Sequence, residues 1–448
     1  MSKRFCTDDG NALRFVDRAE GNFLYVDTLG WHRWNETRWE PLSETLVINW
    51  AAEVVAPSIW EEMDTAEDED EEKLIKKWAL ESQSMGRLNA MVRLARGKLW
   101  ADTTDMDAHP WLLNLPNGIV DLRTGVLHQH DRKARLTQIA PTPYREGAQC
   151  PKWLAFLRWM CCGDEGLMGY LQRWTGYCLT GDVGQQALCI LHGSTGANGK
   201  STYCDVVKGL LGSDYSAPAP AGFLMRRANE EHPTSIWQLR GRRFIYASET
   251  EDDARLDSPR IKVLTGETTL TARGMHQDFS QFTATAKFTL LTNPRPIFDG
   301  ADKALLRRLH LVPCMAHRAL AERVNGLAEA ILQEEREGIL QWALAGLDAM
   351  LERGQLHPAA RMEEELEDYR ADMDKLGQWL DESCLLGSGY SDTSKGLYAD
   401  YSAWVKARGE CPLGKTSWQN KMKERQFEPC RIGHDQHRGW RGLTRKVQ

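Results

Sequence analysis

QALCILHGSTGANGKSTYCDVVKGLLG, residues 186–212, reads as a short apolar strand, a glycine-rich bend and an amphipathic helix. That order describes a phosphate-binding loop. Glycines let backbone N–H groups come close to an anion, and the positive end of the helix dipole favours negative charge there. Gly193, Gly196, Asn198, Gly199, Lys200, Ser201 and Thr202 are therefore assigned to a nucleotide. Lys200 would reach the β and γ phosphates of ATP, and the Ser201 hydroxyl would ligate Mg²⁺. The strict spacing GxxxxGK[ST] would place glycine at position 194. Here Ser194 stands in that place and Gly193 comes one step earlier, so the loop starts differently.

Working outward, RRFIYASETEDD (242–253) is a second strand pattern ending in acids, expected beside the loop strand. Ser248 occupies its penultimate position where an Asp is usual. Glu249 is thus the candidate base and metal-ordering acid, with Glu251 as its substitute. KFTLLTNPRP (287–296) is a third strand ending at Asn293, whose amide could orient the attacking water or sense the γ phosphate. DKALLRRLHLVP (302–313) then offers Arg307 and Arg308, of which Arg308 is preferred. A guanidinium supplied across a subunit boundary stabilises charge in the transition state of phosphoryl transfer. The residues expected to do chemistry are accordingly Lys200, Glu249, Asn293, Arg307 and Arg308.

The 448 residues allow several domains, and 27% charged with 42% hydrophobic residues describes a folded, soluble chain. A net charge of −7 says nothing about partners, because local basic patches survive inside an acidic total. Eleven cysteines without a CxxC pair fit neither a zinc knuckle nor a disulfide framework and imply a reducing cytoplasm. No stretch has the length or apolarity of a signal peptide or a membrane span.

Upstream, GWHRWNETRW (30–39) suggests small strands with packed indoles across residues 1 to about 60, and EEMDTAEDEDEE (61–72) a solvated helix or connector. Pro-Asn-Gly and Arg-Thr-Gly turns in 109–144 imply a small β-rich unit, and 151–182 turns helical. Downstream, residues 317–375 are helical by pattern, interrupted at Gly354 and Pro358. The tail reads as two helices and a turn-rich end. Over 411–448, nine Lys or Arg face three acids, a balance that favours phosphates.

Taken together, LHGSTGANGKST, LRGRRFIYASETEDDARLDSPRIKVLTGETTLTARGMHQDFSQFTATAKFTLLTNPRP and DGADKALLRRLHLVP resemble the superfamily 3 helicase domain of phage and plasmid primase-helicases, the group that includes the poxvirus primase-helicase. LPNGIVDLRTGVL, CPKWLAFLRW and LQRWTGYCLTG resemble the segment that precedes the ATPase in that family. The resemblance implies a multidomain α/β protein with an AAA+ P-loop ATPase core. The expected layout is a mixed β/helical N-terminal domain (1–148), a helical collar (149–185), the ATPase core (186–318), a helical extension (319–375) and a C-terminal winged helix (376–448). It also implies a hairpin at about 262–282 that lines a DNA channel, with Lys262, Arg273 and His276 touching DNA. The winged helix would add Lys415, Lys421, Lys423 and Arg425. Gln277 and Leu306 depart from the lysine and tryptophan that many relatives carry there.

The expected activity is unwinding of DNA driven by Mg²⁺-ATP, with translocation on single strands during phage, prophage or plasmid replication in a bacterial host cytoplasm. Partners implied are single-stranded and forked DNA, further copies of the chain in a hexamer, and a separately encoded primase or polymerase. An ATP-dependent initiator that binds and melts an origin without processive unwinding is the alternative. A small-molecule kinase or packaging motor would leave the hairpin and the basic tail unexplained.

Overall fold

The computed structural model describes residues 4–193, 196–226, 234–249, 255–273, 279–293, 295–298, 302–319, 324–409, 412–433 and 435–446. Its first element is α1 (Asp8–Ala19), where a strand-rich start was expected. The reason is local: the Thr7 hydroxyl accepts from Gly10 N at 3.0 Å, Asp8 and Asp9 sit in the first turn, and Ala12, Phe15 and Ala19 share a face. The indole segment does form strands, β1 (Phe23–Val26), β2 (Gly30–Trp34) and β3 (Trp39–Pro41). Helices α2 (Glu44–Trp50), α3 (Ala56–Ser58), α4 (Glu69–Glu81) and α5 (Met85–Lys98) follow, and β4 (Trp100–Ala101) completes a sheet of order β3-β2-β1-β4. The acidic run is not all solvated: Glu62 pairs at 2.6 Å with Arg14, whose side chain is buried.

Strands β5 (Leu112–Leu115), β6 (Gly118–Asp121) and β7 (Val126–His128) form the small antiparallel unit that the turns announced. Helices α6 (Pro151–Met160) and α7 (Glu165–Leu179) lead from it to the central sheet.

That sheet holds β8 (Leu188–His192), β9 (Ser216–Pro218), β10 (Phe244–Glu249), β13 (Lys287–Thr292) and β14 (Leu309–Pro313), all parallel. Its spatial order is β14-β8-β13-β10-β9, so β13 stands between the loop strand and the acidic strand. The adjacency expected from sequence order is thereby corrected: consecutive parallel strands need crossovers, and the chain uses them to insert a later strand. Every residue of β8 is buried, as a parallel strand covered on both faces requires. Cys189 and Leu191 point into a core shared with α6, α7, α8 (Lys200–Tyr215) and α12 (Leu327–Arg353). Leu188 and Ile190 point the other way, into a core with Phe223, Leu305 and Tyr369. The 2-residue period of the strand thus splits one apolar run between two cores.

Short helix α9 (Thr234–Trp237) precedes β10, and α10 (Ser258–Gly266) precedes an antiparallel hairpin, β11 (Thr269–Ala272) with β12 (Ser280–Thr283). Helix α11 (Lys303–Leu306) leads into β14. Helix α12 ends at Gly354, whose φ of 73° closes it, and α13 (Ala360–Met373) begins after Pro358.

The tail contains more structure than its sequence suggested. After α14 (Lys375–Ser383) come β15 (Cys384–Thr393), α15 (Ser394–Ala407), α16 (Lys415–Glu424), β16 (Glu428–Ile432) and β17 (His437–Arg445). The turn-rich end is therefore a strand hairpin. A three-stranded antiparallel sheet of order β15-β17-β16 covers a core of Trp379, Tyr401, Trp418 and Trp440. Among the described residues no helix is long and apolar enough to cross a membrane.

Candidate functional site

The bend after β8 lies at the carboxyl ends of the parallel strands, where open α/β sheets bind ligands. Gly193 is required there by space: an added Cβ would stand 2.3 Å from Cys314 O and 2.6 Å from Asn198 Nδ2. Gly199 has φ 88° and Ala197 φ 60°, left-handed conformations of the kind found in anion-binding bends. Ser194 and Thr195 lie outside the described residues. His317 Nδ1 is 3.3 Å from Gly196 O, a contact from the segment after β14 that no motif announced.

Lys200 opens α8 with its side chain buried. Its Nζ donates to Asn293 Oδ1 at 3.1 Å and to Gly193 O at 3.3 Å. Burial lowers its pKa from the usual lysine value, opposed by Cys314. Asn293 follows β13 and is exposed. Two residues chosen from separate motifs thus meet across the tips of adjacent strands. Ser201 is exposed in the first turn of α8, and Thr202 follows half-buried. An accessible hydroxyl beside the lysine suits Mg²⁺, which prefers a few protein oxygens together with substrate phosphates. Glu249 ends β10, but its side chain lies outside the described residues, as does all of Glu251.

The arginines separate. Arg308, preferred from sequence, is buried and turned inward, with Nη2 donating to Gln186 Oε1 at 3.0 Å, Nη1 to Ala304 O at 2.6 Å and Nε to Thr265 Oγ1 at 3.2 Å. Arg307 is exposed, with one long bond of 3.4 Å to Gln186. Of the two guanidiniums, Arg307 is the more accessible.

Behind the bend lies a charged junction missed from sequence. His192 Nε2 stands 3.5 Å from Glu365 Oε2 of α13, and Glu365 also pairs with Arg295, two residues beyond Asn293. Arg295 reaches Asp372 at 3.3 Å as well. Burial, then Arg295 and Lys200, push the His192 pKa down to about 4, so it is neutral at pH 7. Arg295 lies within the NPRP motif, but Glu365 sits in an acid-rich helix whose pattern gave no hint of burial.

Of the residues expected on DNA, Arg273 is exposed at the end of β11, its guanidinium 5.1 Å from the Phe279 ring. His276 and Gln277 lie outside the described residues. Lys262 is paired with Asp302. In the tail, Lys415 and Lys423 are exposed, whereas Arg425 pairs with Asp374 and Lys421 lines a cleft with Asp302, Glu367 and Asp374. The helix expected to present four cations outward turns two of them toward acids of the body.

A family model described as "D5 N terminal like" matches residues 12–162, and a "Family of unknown function (DUF5906)" matches 191–308. A protein of Acanthamoeba polyphaga mimivirus named as a helicase is 23% identical over 69% of this chain and 35% of its own length. A protein of African swine fever virus named as a primase is 25% identical over 46% of this chain and 22% of its own length. A solved apo structure of the NrS-1 C-terminal region superposes with a TM-score of 0.52 at 12% identity, covering 96% of this chain and 98% of that one. These matches support a phage and viral primase-helicase family for the chain. The mixed α/β, multidomain fold of the NrS-1 region extends over nearly the whole of this chain. The chain spans about a third or less of the length of these viral relatives.

Proposed function

We propose that this chain is an ATP-driven DNA helicase of superfamily 3, with an AAA+ core around β8 and a winged helix at 375–445. The observation that carries the reading is the 3.1 Å contact of Lys200 Nζ with Asn293 Oδ1, at the tips of adjacent parallel strands and beside the exposed Ser201 hydroxyl. Lys200 would neutralise phosphate oxygens and, on turning from Asn293 to the nucleotide, would leave that amide able to orient water. Ser201 would hold Mg²⁺, which would supply positive charge to offset the charge developing on the transferred phosphate. Arg307 supplies a cation from one subunit to the next in a ring, which the resemblance implies is hexameric. The β11–β12 hairpin carries Arg273 to a threaded strand, where a cation follows the backbone without reading bases.

Support comes from the strand order, in which the chain's first, fourth and third core strands lie side by side with the nucleotide bend at their carboxyl ends. The order α14-β15-α15-α16-β16-β17 supports the winged-helix reading. The test is unwinding of a forked duplex by the full chain with ATP. We expect strand separation in the wild-type protein and none in Lys200→Ala. Local melting of an origin duplex without fork unwinding would favour the initiator instead.

A further inference from the structure

Helix α16 and its C-terminal cap carry cations on two faces, Lys421 with Arg425 and Lys423 two residues away, and the faces look at different surroundings. Lys421 and Arg425 face a cleft in which Asp302, Glu367 and Asp374 stand among Lys303 and Arg370. Gln419 and Lys423 face a cleft of about 550 Å³ between α16 and the β16–β17 hairpin. The register pairs Arg431 with Arg438 and Pro429 with Trp440, and the alternation of a strand puts these four side chains on one face of the hairpin. Arg431 and Arg438 line the same cleft, and no carboxylate is among its described lining residues. Among the described residues neither Lys423 nor Arg438 has an ion-pair partner.

The wall of the cleft supplies the second observation. Ser394 and Trp440 line it, are 7% and 3% exposed, and among the described residues their Oγ and Nε1 atoms have no hydrogen-bond partner. Ser394 is the first residue of the 14-residue α15, so its hydroxyl sits at the positive end of a helix dipole. Unpartnered buried donors are rare in native proteins, because each costs more than an average hydrogen bond contributes. Two such donors, a helix N-terminus and three cations without a carboxylate among them lack one kind of group, a multiply accepting anion.

We propose that this cleft is a phosphate site for the nucleic-acid backbone, in which Lys423, Arg431 and Arg438 clasp one phosphodiester and Ser394 and Trp440 complete its hydrogen bonds. It rests on the reading of the chain as a DNA-binding protein and moves the contact surface from the face of Lys421 and Arg425 to the opposite one.

The test is fluorescence anisotropy of the full chain on a 20-base-pair duplex across a salt series. Arg438→Gln should weaken binding roughly tenfold and flatten the slope of log affinity against log salt by about 0.9, the value for one lost phosphate contact. Arg441→Gln removes the same charge from the other face of the hairpin and should change neither. Ser394→Ala should weaken binding about threefold with the slope unchanged, since a hydroxyl releases no counterion. Equal effects of Arg438→Gln and Arg441→Gln would reduce the site to diffuse charge and overturn the proposal. So would displacement of the duplex by millimolar inorganic phosphate at matched ionic strength, which would assign the cleft to free phosphate. A wild-type chain that bound no duplex would instead count against the DNA-binding reading itself.

Discussion

The tips of the central sheet and the C-terminal unit both use cations, in opposite ways. At the sheet, Lys200 is buried with fixed partners, Arg308 is held by three acceptors and His192 stays neutral beside Glu365. In the C-terminal unit the cations are mostly exposed and are sorted only by which face of α16 or β17 they occupy. A buried charge must have its partners built around it, so one residue decides much. An exposed charge sits in water and salt, and its worth depends on what shares its surface.

The largest consequence lies at the buried end. Lys200→Ala should lower ATP turnover on the order of 10³-fold and Asn293→Ala on the order of 10²-fold, as loss of preorganised groups does. Because the two side chains touch, the double variant should be little worse than Lys200→Ala alone, which steady-state kinetics on all three proteins would show. Multiplying effects would mean that the pair does not act together.

Next come the two arginines, which set one kind of cation against the other within a single dipeptide. Arg307→Ala should cost turnover on the order of 10³-fold with an unchanged melting temperature. Arg308→Ala should lower the melting temperature by several degrees, since it strips buried acceptors of a charged donor, a loss of about 1–3 kcal/mol. Calorimetry beside an ATPase assay separates them; the reverse pattern would restore Arg308 as the residue offered across the subunit boundary.

Acid should weaken the core before the tail. His192 and His310 both have pKa values depressed to about 4 by burial. An unfolded imidazole takes its proton near pH 6.5, so below that value the unfolded chain binds more protons and stability falls as pH falls from 6.5 toward 4. Between pH 7 and 5 each group should withdraw about 2 kcal/mol. Urea unfolding at the two pH values checks this, and His310→Gln should shrink the difference; equal midpoints at both would contradict the burial argument.

The smallest effect sharpens the division of α16. Lys423→Gln should weaken duplex binding about fivefold at moderate salt, and Lys421→Gln by less than twofold, because only the first faces a surface without acids. Equal losses would erase the distinction between the faces.

What was legible from sequence follows the same division. Gly193, Gly199, Lys200 and Asn293 carry steric and chemical demands that only a few residue types meet, so their motifs pointed to a site the fold assembles. The order of strands was not legible, because placing β13 between β8 and β10 depends on crossovers, not on any residue in the strands. Helix α1 was hidden behind nearby indoles, although Thr7 with Asp8 and Asp9 is a start signal. The charge excess of the tail was countable, but its sorting needed the register Arg431↔Arg438 and the salt bridge Arg425–Asp374, both tertiary facts. Glu365 shows the same limit, since nothing in MEEELEDY marks which acid is buried.

The most direct test of the account is ATP turnover by the purified wild-type chain, measured with and without a single-stranded oligonucleotide. Turnover that rises several-fold on adding the strand is expected if the site at Lys200 drives a hairpin along DNA. Absence of turnover, or a rate indifferent to the strand, would contradict the coupling on which the account depends.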